Sequence, residues 1–211
     1  MTDLAKDAHG DASAGGFPVP FFPESGLQED RDAISEILPG LFLTNFRGAE
    51  DLKRLQALKI NHVLCVNGPA SDNPHPTELN YMNIVNVEDE ESQAAALRAH
   101  FENAGKFIHA NMGKGVVVHC AGGISRSSSI VLFYLMKYRN MNLREAFAHT
   151  MARRRVIWPN TGFMQQLIEF EKSQAGKKGR STITAKEYQE WTDFSPMAYK
   201  AAKTVDRPRE K

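Results

Sequence analysis

Apolar positions along the chain form short continuous runs that alternate with longer stretches of helical spacing. The continuous runs predict strands, and they read "LFL", "NHVLCV", "YMNIVNV" and "GVVVHC". The last run is typical of a strand that is buried on both faces of a sheet. A helix is predicted for "AEDLKRLQALKI", because Leu52, Leu55 and Leu58 recur every three residues. This alternation indicates an α/β fold, in which helices flank a central, mostly parallel sheet.

Helical patterns dominate the second half of the chain. The stretch "SSSIVLFYLMKY" is apolar nearly all round and predicts a buried central helix. A second helix is expected to begin with Asn142 as its N-cap, because Glu145 follows three positions later as in a capping box. Phe163, Leu167 and Phe170 align on one face of a third helix. One more short helix is expected near "TAKEYQEW".

The two ends of the chain differ in charge from the middle. Residues 1–36 carry 2 basic and 8 acidic residues and are rich in Gly, Ala and Pro, which predicts a disordered arm. Residues 176–211 carry 9 basic and 5 acidic residues and read as a basic tail. We therefore expect a single folded domain over residues 37–175.

Composition narrows the class of protein. The chain has 211 residues, of which 42% are hydrophobic and 24% charged, which suits one globular domain with tails. A net charge of +1 gives no reason to expect a nucleic-acid partner. We see neither a secretory signal nor an apolar run long enough to cross a membrane, so no membrane association is expected. Two cysteines make no disulfide scaffold, which favours an intracellular location, cytoplasmic or nuclear. The oligomeric state stays open.

One stretch carries candidate chemistry, and it reads "VVVHCAGGISRSSSIVLFYL". Cys120 falls at the carboxyl end of a predicted strand, where ligands bind in open α/β sheets. The small residues after it let successive backbone N–H groups point inward as an anion nest. Arg126 begins the next helix and matches two phosphate oxygens with its planar guanidinium. Such a ring of donors binds phosphate and stabilises a cysteine thiolate, which is a nucleophile.

Other interpretations of this stretch exist. A cysteine after a strand is often only a small buried apolar residue. The stretch is not a Walker A loop, since no Gly-Lys-Ser/Thr sequence follows the glycines. His119 is expected to point away from the sulfur of Cys120, because neighbouring strand residues face opposite sides of the sheet. We interpret His119 as a structural residue that fixes the loop.

The segment "HCAGGISRS" closely resembles the His-Cys-x5-Arg-Ser signature of the cysteine-dependent dual-specificity protein phosphatases, in their small atypical form. The resemblance extends from about Ile37 to Ala175 and includes "INHVLCVN", "VNVEDEE" and "RRRVIWPNTGFMQQLIEFE". It implies the cysteine-phosphatase fold and hydrolysis of phosphotyrosine and of phosphoserine or phosphothreonine in proteins. Gly122 departs from the pattern, since the family commonly has alanine there.

The resemblance also implies a role for each site residue. Cys120 would attack phosphorus and form a phosphocysteine, and Ser127 would assist its hydrolysis. Arg126 would stabilise the transition state, without metal or cofactor. The residue types in "VEDEE" do not identify which carboxylate is the general acid. The resemblance implies Asp89, with Glu88 or Glu90 as lesser candidates. The phosphate would be cradled by six residues in a row: Ala121, Gly122, Gly123, Ile124, Ser125 and Arg126.

The substrate is expected to be a phosphoprotein, because none of the residues between Cys120 and Arg126 is basic. The run Arg153–Arg155 could add charge at the rim of the site, although it also suits the end of a helix. Asn160 is interpreted mainly as a helix cap, with support of the phosphate loop as the alternative. Cys65 ends the strand expected beside that of Cys120, and we consider it either a possible redox partner of Cys120 or a buried apolar residue.

Three classes of function fit these residues in different degrees. A phosphoprotein phosphatase uses Cys120, Arg126 and an acid. A pseudophosphatase-like module would bind phosphate without turnover, and a phosphatase of a phosphoinositide or of an RNA 5′-phosphate would act on a non-protein substrate. A sulfurtransferase would have no use for Asp89. The seven histidines have no metal-ligand spacing, which disfavours metal-dependent chemistry.

Overall fold

The computed structural model of the chain describes residues 32–66, 68–69, 72–174 and 179–194. Most of the predicted N-terminal arm and the end of the basic tail lie outside the described residues. The described part forms a five-stranded sheet, and its strands are β1 Ser35–Leu38, β2 Leu41–Thr44, β3 His62–Val66, β4 Asn80–Ile84 and β5 Val116–His119. The four strands predicted from the apolar runs are all present.

The strands follow the spatial order β1-β2-β5-β3-β4. The pairs β2–β5, β5–β3 and β3–β4 are parallel, so the carboxyl ends of these four strands meet at one edge of the sheet. β1 pairs antiparallel with β2 and was not predicted. Its residues Ser35 and Glu36 lie within the arm predicted to be disordered, so the folded domain begins slightly earlier than residue 37. Ile37 of β1 is fully buried, which explains why this short edge strand holds its place.

Seven helices accompany the described strands. They are α1 Phe46–Glu50, α2 Leu52–Ala57, α3 Ala94–Asn111, α4 Arg126–Tyr138, α5 Leu143–Arg153, α6 Thr161–Ser173 and α7 Ala185–Phe194. The single helix expected for "AEDLKRLQALKI" is divided into α1 and α2 at Asp51, whose side chain accepts a hydrogen bond from the backbone N–H of Arg54. The predicted capping box of α5 is confirmed, because Asn142 and Glu145 exchange side-chain to backbone bonds.

Apolar side chains cover both faces of the sheet. The larger core lies between the sheet and α3–α7, and it includes Val116, Val118 and the nearly all-apolar helix α4. The smaller core lies on the other face around Val63 and Val117. β5 therefore runs between two apolar layers, as its continuous run of valines predicted. Both neighbours of β5 are hydrogen-bonded to it, so its carboxyl end is a rigid platform for the loop that follows.

The folded domain continues past residue 175, where the sequence pattern was expected to give way to a tail. Ile183, Tyr188 and Trp191 are buried in the larger core. The helix suggested by "TAKEYQEW" is present as α7. α7 itself carries two of these buried residues, Tyr188 and Trp191, among many charged ones, and their burial depends on contacts with α5, α6 and the segment before α6. Within the described residues, no helix combines the length and apolar character that a bilayer crossing needs.

Candidate active site

Cys120 directly follows the last residue of β5 and is the first residue of a tight loop that connects β5 to α4. Its side chain is buried, with 3% exposure of the residue. The sulfur accepts a hydrogen bond from the backbone N–H of Gly123 at 3.2 Å and one from the hydroxyl of Ser127 at 3.2 Å. Both donors favour a negatively charged sulfur. The loop and the first turn of α4 therefore surround the sulfur with donors, in the arrangement expected for an anion nest.

Arg126 is the first residue of α4 and is also buried. Its Nη1 donates to the backbone carbonyl of Val87 at 3.2 Å and lies 3.8 Å from a carboxylate oxygen of Glu88. These contacts tie the guanidinium to the segment that follows β4. The loop that carries Cys120 and the segment that carries the candidate acids thus meet at Arg126, at the carboxyl edge of the sheet.

Asp89 lies directly against the phosphate loop. Its Oδ1 accepts hydrogen bonds from the hydroxyl of Ser125 at 2.6 Å and from the side-chain amide of Asn160 at 2.8 Å. Glu88 instead approaches Arg126 with a largely exposed side chain, and Glu90 accepts a bond from Ser92. Within this acidic run, Asp89 is therefore the carboxylate that is fixed to the loop by two neutral donors.

Asn160 fills both roles considered from the sequence, helix capping and support of the loop. Its Oδ1 accepts a hydrogen bond from the backbone N–H of Phe163 and caps α6. Its Nδ2 holds Asp89, and its backbone N–H donates to the hydroxyl of Ser125 at 3.0 Å. One asparagine thus links the start of α6, the acidic segment and the phosphate loop. Capping and loop support are both present.

Arg154 is a site residue that the sequence did not reveal. It is only 2% exposed, and its Nε donates to the carbonyl of Gly123 at 2.9 Å. Its Nη2 reaches the carbonyl of Gly122 at 3.4 Å, and its Nη1 donates to the carbonyl of Ala33 at 3.0 Å. The run does close α5, with Arg153 in its last turn and Arg154 as its C-cap, but the buried side chain of Arg154 is not a charge at the rim of the site. Arg154 supports the phosphate loop by donating to its carbonyl groups, on the side away from the sulfur. No feature of the sequence distinguishes Arg154 from Arg153 and Arg155.

His119 occupies the last position of β5, in register with Cys65 of β3. Burial lowers the pKa of His119 to about 4, although a hydrogen bond to the backbone of Cys120 opposes this shift. The imidazole is thus neutral at physiological pH. Strand alternation directs it to the face opposite Cys120, as expected, which excludes a Cys–His pair.

Cys65 lies on the strand beside the one that leads to Cys120, as the sequence predicted. Burial raises the pKa of the Cys65 thiol to about 11, with the nearby Cys120 thiol as a second cause. Both cysteines are free thiols. Since Cys65 pairs with His119 rather than with Cys120, its side chain leaves the sheet on the face opposite Cys120. Any bond between the two sulfurs therefore requires the loop at Cys120 to rearrange.

Comparisons with known proteins agree with this geometry. Residues 41–173 match the family model of the dual specificity phosphatase catalytic domain. Human dual specificity protein phosphatase 2 is 44% identical over 166 residues, which cover 73% of this chain and 52% of the relative. Dual specificity protein phosphatase 22-B of Danio rerio is 35% identical over 142 residues, which cover 66% of this chain and 75% of the relative. The chain thus spans about half of the human relative.

A solved structure resembles the fold as well. The crystal structure of a human tyrosine phosphatase-like serine/threonine/tyrosine-interacting protein superimposes with a TM-score of 0.60 and 34% identity, over 65% of this chain and 95% of that one. The family model covers the strands β2–β5 and the helices α1–α6, including Asp89 and the whole loop from Cys120 to Ser127. The chain belongs to the dual-specificity phosphatase family, and its folded domain is that of a cysteine-dependent dual-specificity protein phosphatase.

Proposed function

We propose that this chain acts on phosphoproteins and that it uses Cys120 as the nucleophile, Arg126 as the phosphate ligand and Asp89 as the general acid. The observation that carries the proposal is the convergence of two segments: the phosphate loop with Cys120 and Arg126, and the acidic segment with Asp89. The sulfur of Cys120 accepts two hydrogen bonds, Arg126 bridges the loop to the acidic segment, and Asp89 is fixed against the loop by Ser125.

In the first step, the thiolate of Cys120 attacks phosphorus. A sulfur–phosphorus bond forms and the bond from phosphorus to the substrate oxygen breaks. The backbone N–H groups of residues 121–126 and the guanidinium of Arg126 bind the three phosphate oxygens, whose charge they stabilise in the transition state. Protonated Asp89 gives its proton to the leaving oxygen. Since two donors occupy Oδ1 of Asp89, we assign the proton to Oδ2.

In the second step, water attacks the phosphocysteine. Asp89, now a carboxylate, takes a proton from this water, and the sulfur–phosphorus bond breaks. The hydroxyl of Ser127, which already donates to the sulfur at 3.2 Å, stabilises the departing thiolate. Inorganic phosphate leaves, and the enzyme returns to its starting protonation state. No redox step and no external group take part in this scheme.

The phosphoprotein substrate follows from the charge of the loop. Residues 121–125 contain no basic side chain. A ligand with several phosphates, such as a phosphoinositide or an RNA 5′-phosphate, needs more positive charge around the site than Arg126 alone supplies. Of the neighbouring run, Arg154 is buried and committed to backbone carbonyls, while Arg153 donates to His149. A single phosphoryl group on a protein side chain fits this charge best.

The test is phosphate release from matched phosphotyrosine and phosphothreonine peptides, with a metal chelator present. We expect release from both peptides by the wild type and none by Cys120→Ser. Asp89→Asn should retain substrate binding and lose most of its turnover, by a factor of about 100 or more. Binding of both peptides without release would establish a phosphate-binding module instead. Release only from phosphoinositides or RNA 5′-phosphates would overturn the phosphoprotein assignment. Sulfur transfer without phosphate release, unimpaired in Asp89→Asn, would indicate a sulfurtransferase instead.

We further propose that Cys65 is the redox partner of Cys120. Hydrogen peroxide oxidises the Cys120 thiolate to a sulfenic acid: the sulfur takes one OH group as the O–O bond breaks, and hydroxide leaves. The Cys65 thiolate then attacks this sulfur, a disulfide forms and hydroxide leaves. The neighbouring strands and the effect of the Cys120 thiol on the pKa of Cys65 support the pairing, which requires the loop at Cys120 to rearrange.

Because Cys65 and Cys120 are both free thiols, we also propose that the protein resides in a reducing compartment, the cytoplasm or the nucleus. Fractionation of cells that express a tagged full chain tests the location. Recovery of the chain from a secreted or luminal fraction, with Cys120 oxidised, would contradict it.

A further inference from the structure

After α6, the chain packs against the segment that precedes α6 and lies beside the phosphate loop. Residues 179–194, which we call the C-terminal strap, include α7 and pack on the larger core. We propose that Tyr188 of this strap is a positioning residue for Asp89, and that it acts through the loop Trp158–Asn160. The proposal rests on the role of Asp89 as general acid given above. It deepens that role by naming a residue beyond the matched family domain, which ends at residue 173.

Tyr188 makes two contacts with consecutive residues of the loop before α6. Its hydroxyl donates to the carbonyl of Pro159 at 2.7 Å. Its ring stacks on that of Trp158, with 5.6 Å between centroids and an interplanar angle of 25°. Tyr188 is only 1% exposed, so both contacts lie in a dry environment where a hydrogen bond is strong. The side chain therefore fixes this loop in position and in direction.

The other side of the same loop faces the phosphate loop. The backbone N–H of Trp158 donates to the carbonyl of Ile124 at 2.9 Å. The backbone N–H of Asn160 donates to the hydroxyl of Ser125, and its side-chain amide donates to Asp89. Three consecutive residues thus have the phosphate loop and the acid on one side and Tyr188 on the other. A shift of Pro159 moves the amide that holds Asp89.

The strap has firm anchors away from the active site. Glu171 of α6 accepts bonds from the hydroxyl of Ser181 at 2.6 Å and from the backbone N–H of Thr182 at 2.8 Å. Arg144 of α5 donates to the carbonyl of Thr182 at 2.6 Å and pairs with Glu187 at 2.7 Å. These contacts hold the strap at its start and at the first turn of α7. Tyr188 projects from a fixed base.

The leaving group of the substrate distinguishes positioning from mere structural support. A general acid matters most when the departing oxygen is a strong base, as in phenyl phosphate or phosphothreonine. It matters little for an aryl phosphate whose leaving group is already a stable anion at neutral pH. Displacement of Asp89 therefore lowers turnover selectively for substrates with poor leaving groups. Partial unfolding or a damaged phosphate loop lowers turnover for both substrates alike.

The central variant is Tyr188→Phe, which keeps the ring on Trp158 and removes only the hydroxyl that holds Pro159. We expect kcat for phenyl phosphate to fall about fivefold, the loss typical of one buried hydrogen bond, with KM unchanged. For difluoromethylumbelliferyl phosphate, which has a good leaving group, kcat should stay near the wild-type value. Tyr138→Phe is the matched control, because this tyrosine stacks on Tyr134 at the far end of α4 and should change neither rate.

The same measurements in an Asp89→Asn background complete the test. If Tyr188 acts through Asp89, the double variant loses no more activity than Asp89→Asn alone, since residues in one network do not act additively. Arg144→Gln, which loosens the strap without touching Tyr188, should lower the phenyl phosphate rate in the same selective way. Thermal unfolding of every variant confirms that each is folded at the assay temperature.

Equal loss on both substrates, or additive loss with Asp89→Asn, would overturn the positioning role. So would wild-type rates for Tyr188→Phe. The general-acid role itself would be overturned if Asp89→Asn lowered kcat equally for substrates with good and with poor leaving groups. The two failures are therefore distinguishable in one set of assays.

Discussion

The Nε of Arg154 donates to the carbonyl oxygen of Gly123 at 2.9 Å, from outside the loop that carries Cys120. A loop can direct its N–H groups inward only if its carbonyls find partners outside. Arg154 supplies that partner for Gly123 and also approaches the carbonyl of Gly122. A buried cation behind the loop thus maintains the donor ring in front of it.

Arg154→Lys tests this relationship. The lysine keeps the charge, but a point ammonium cannot reach the separate carbonyls that the planar guanidinium spans. Hydrogen bonds to a charged group contribute about 1.5–3 kcal/mol, so we expect kcat/KM to fall about 10- to 100-fold together with a lower Tm. Arg153→Lys, on the exposed neighbour, should retain both values. Equal kcat/KM for these two variants would show that the loop does not need the guanidinium.

The two glycines of the loop are expected to respond in opposite ways to alanine. A Cβ on Gly123 would lie 2.3 Å from the carbonyl oxygen of Thr44, and its φ of 63° is strained for alanine. Gly123→Ala should lower the free energy of unfolding by more than about 2 kcal/mol and abolish activity.

At Gly122 a Cβ would meet only the flexible end of Ile124, at 3.1 Å. Gly122→Ala should therefore stabilise the chain by about 0.5 kcal/mol and leave kcat/KM almost unchanged. Urea unfolding and steady-state kinetics measure both variants. A strong loss of activity in Gly122→Ala would mean that Ile124 cannot give way.

The sequence predicted the elements whose signals are local. The valines of β5 and the capping pair of α5 each lie within a few residues of one another. The spacing from Cys120 to Arg126 is equally local, and it indicated the phosphate loop before any three-dimensional information. Alternation along β5 also placed His119 correctly, because the face of a strand residue depends only on its neighbours.

The features that the sequence missed depend on distant partners. β1 exists because it pairs with β2 and buries Ile37, although the surrounding composition suggests disorder. Arg154 is buried because carbonyls some 30 residues earlier in the chain need a donor, as its bond to Gly123 shows. Tyr188 belongs to a stretch with weak periodicity, and its burial follows from its contact with Trp158. Tertiary contacts of this kind leave no local pattern.

His119 makes stability depend on pH. Its pKa is lowered to about 4 in the folded chain by burial, against about 6.5 in the unfolded chain. Between these values the unfolded chain binds a proton that the folded chain does not, so the free energy of unfolding falls as the pH falls. The expected loss from pH 7 to pH 4 is up to about 3 kcal/mol.

Urea unfolding of the wild type and of His119→Asn across this range measures the effect. The variant should show a weaker dependence on pH, and its stability should approach that of the wild type as the solution becomes acidic. His109→Asn, at an exposed position, serves as the matched control. Parallel pH profiles for wild type and His119→Asn would rule out this contribution.

The proposed disulfide between Cys65 and Cys120 has a pH signature of its own. With its pKa raised by burial to about 11, the Cys65 thiol is about 0.01% thiolate at pH 7. Disulfide formation after a peroxide pulse should accelerate about tenfold for each pH unit in the neutral range, since the thiolate is the attacking species. Mass spectrometry of trapped samples gives the rate.

Cys65→Ser should lose the recovery of activity that dithiothreitol gives to the oxidised wild type, because overoxidised cysteine is not reduced by thiols. The untreated variant should keep full activity. If oxidised wild type and Cys65→Ser recover to the same extent, Cys65 is only a buried apolar residue.

The supports of the phosphate loop are widely spread along the chain. Ala33 anchors Arg154 from the N-terminal side, Arg154 holds Gly123, and Tyr188 stacks on the loop next to the acid. During synthesis, Cys120 leaves the ribosome well before Arg154 and Tyr188 do, and domains fold as units. A nascent chain that already displays its nucleophile therefore lacks the parts that orient it. Competence for phosphate hydrolysis therefore arises only after Tyr188 has been synthesised.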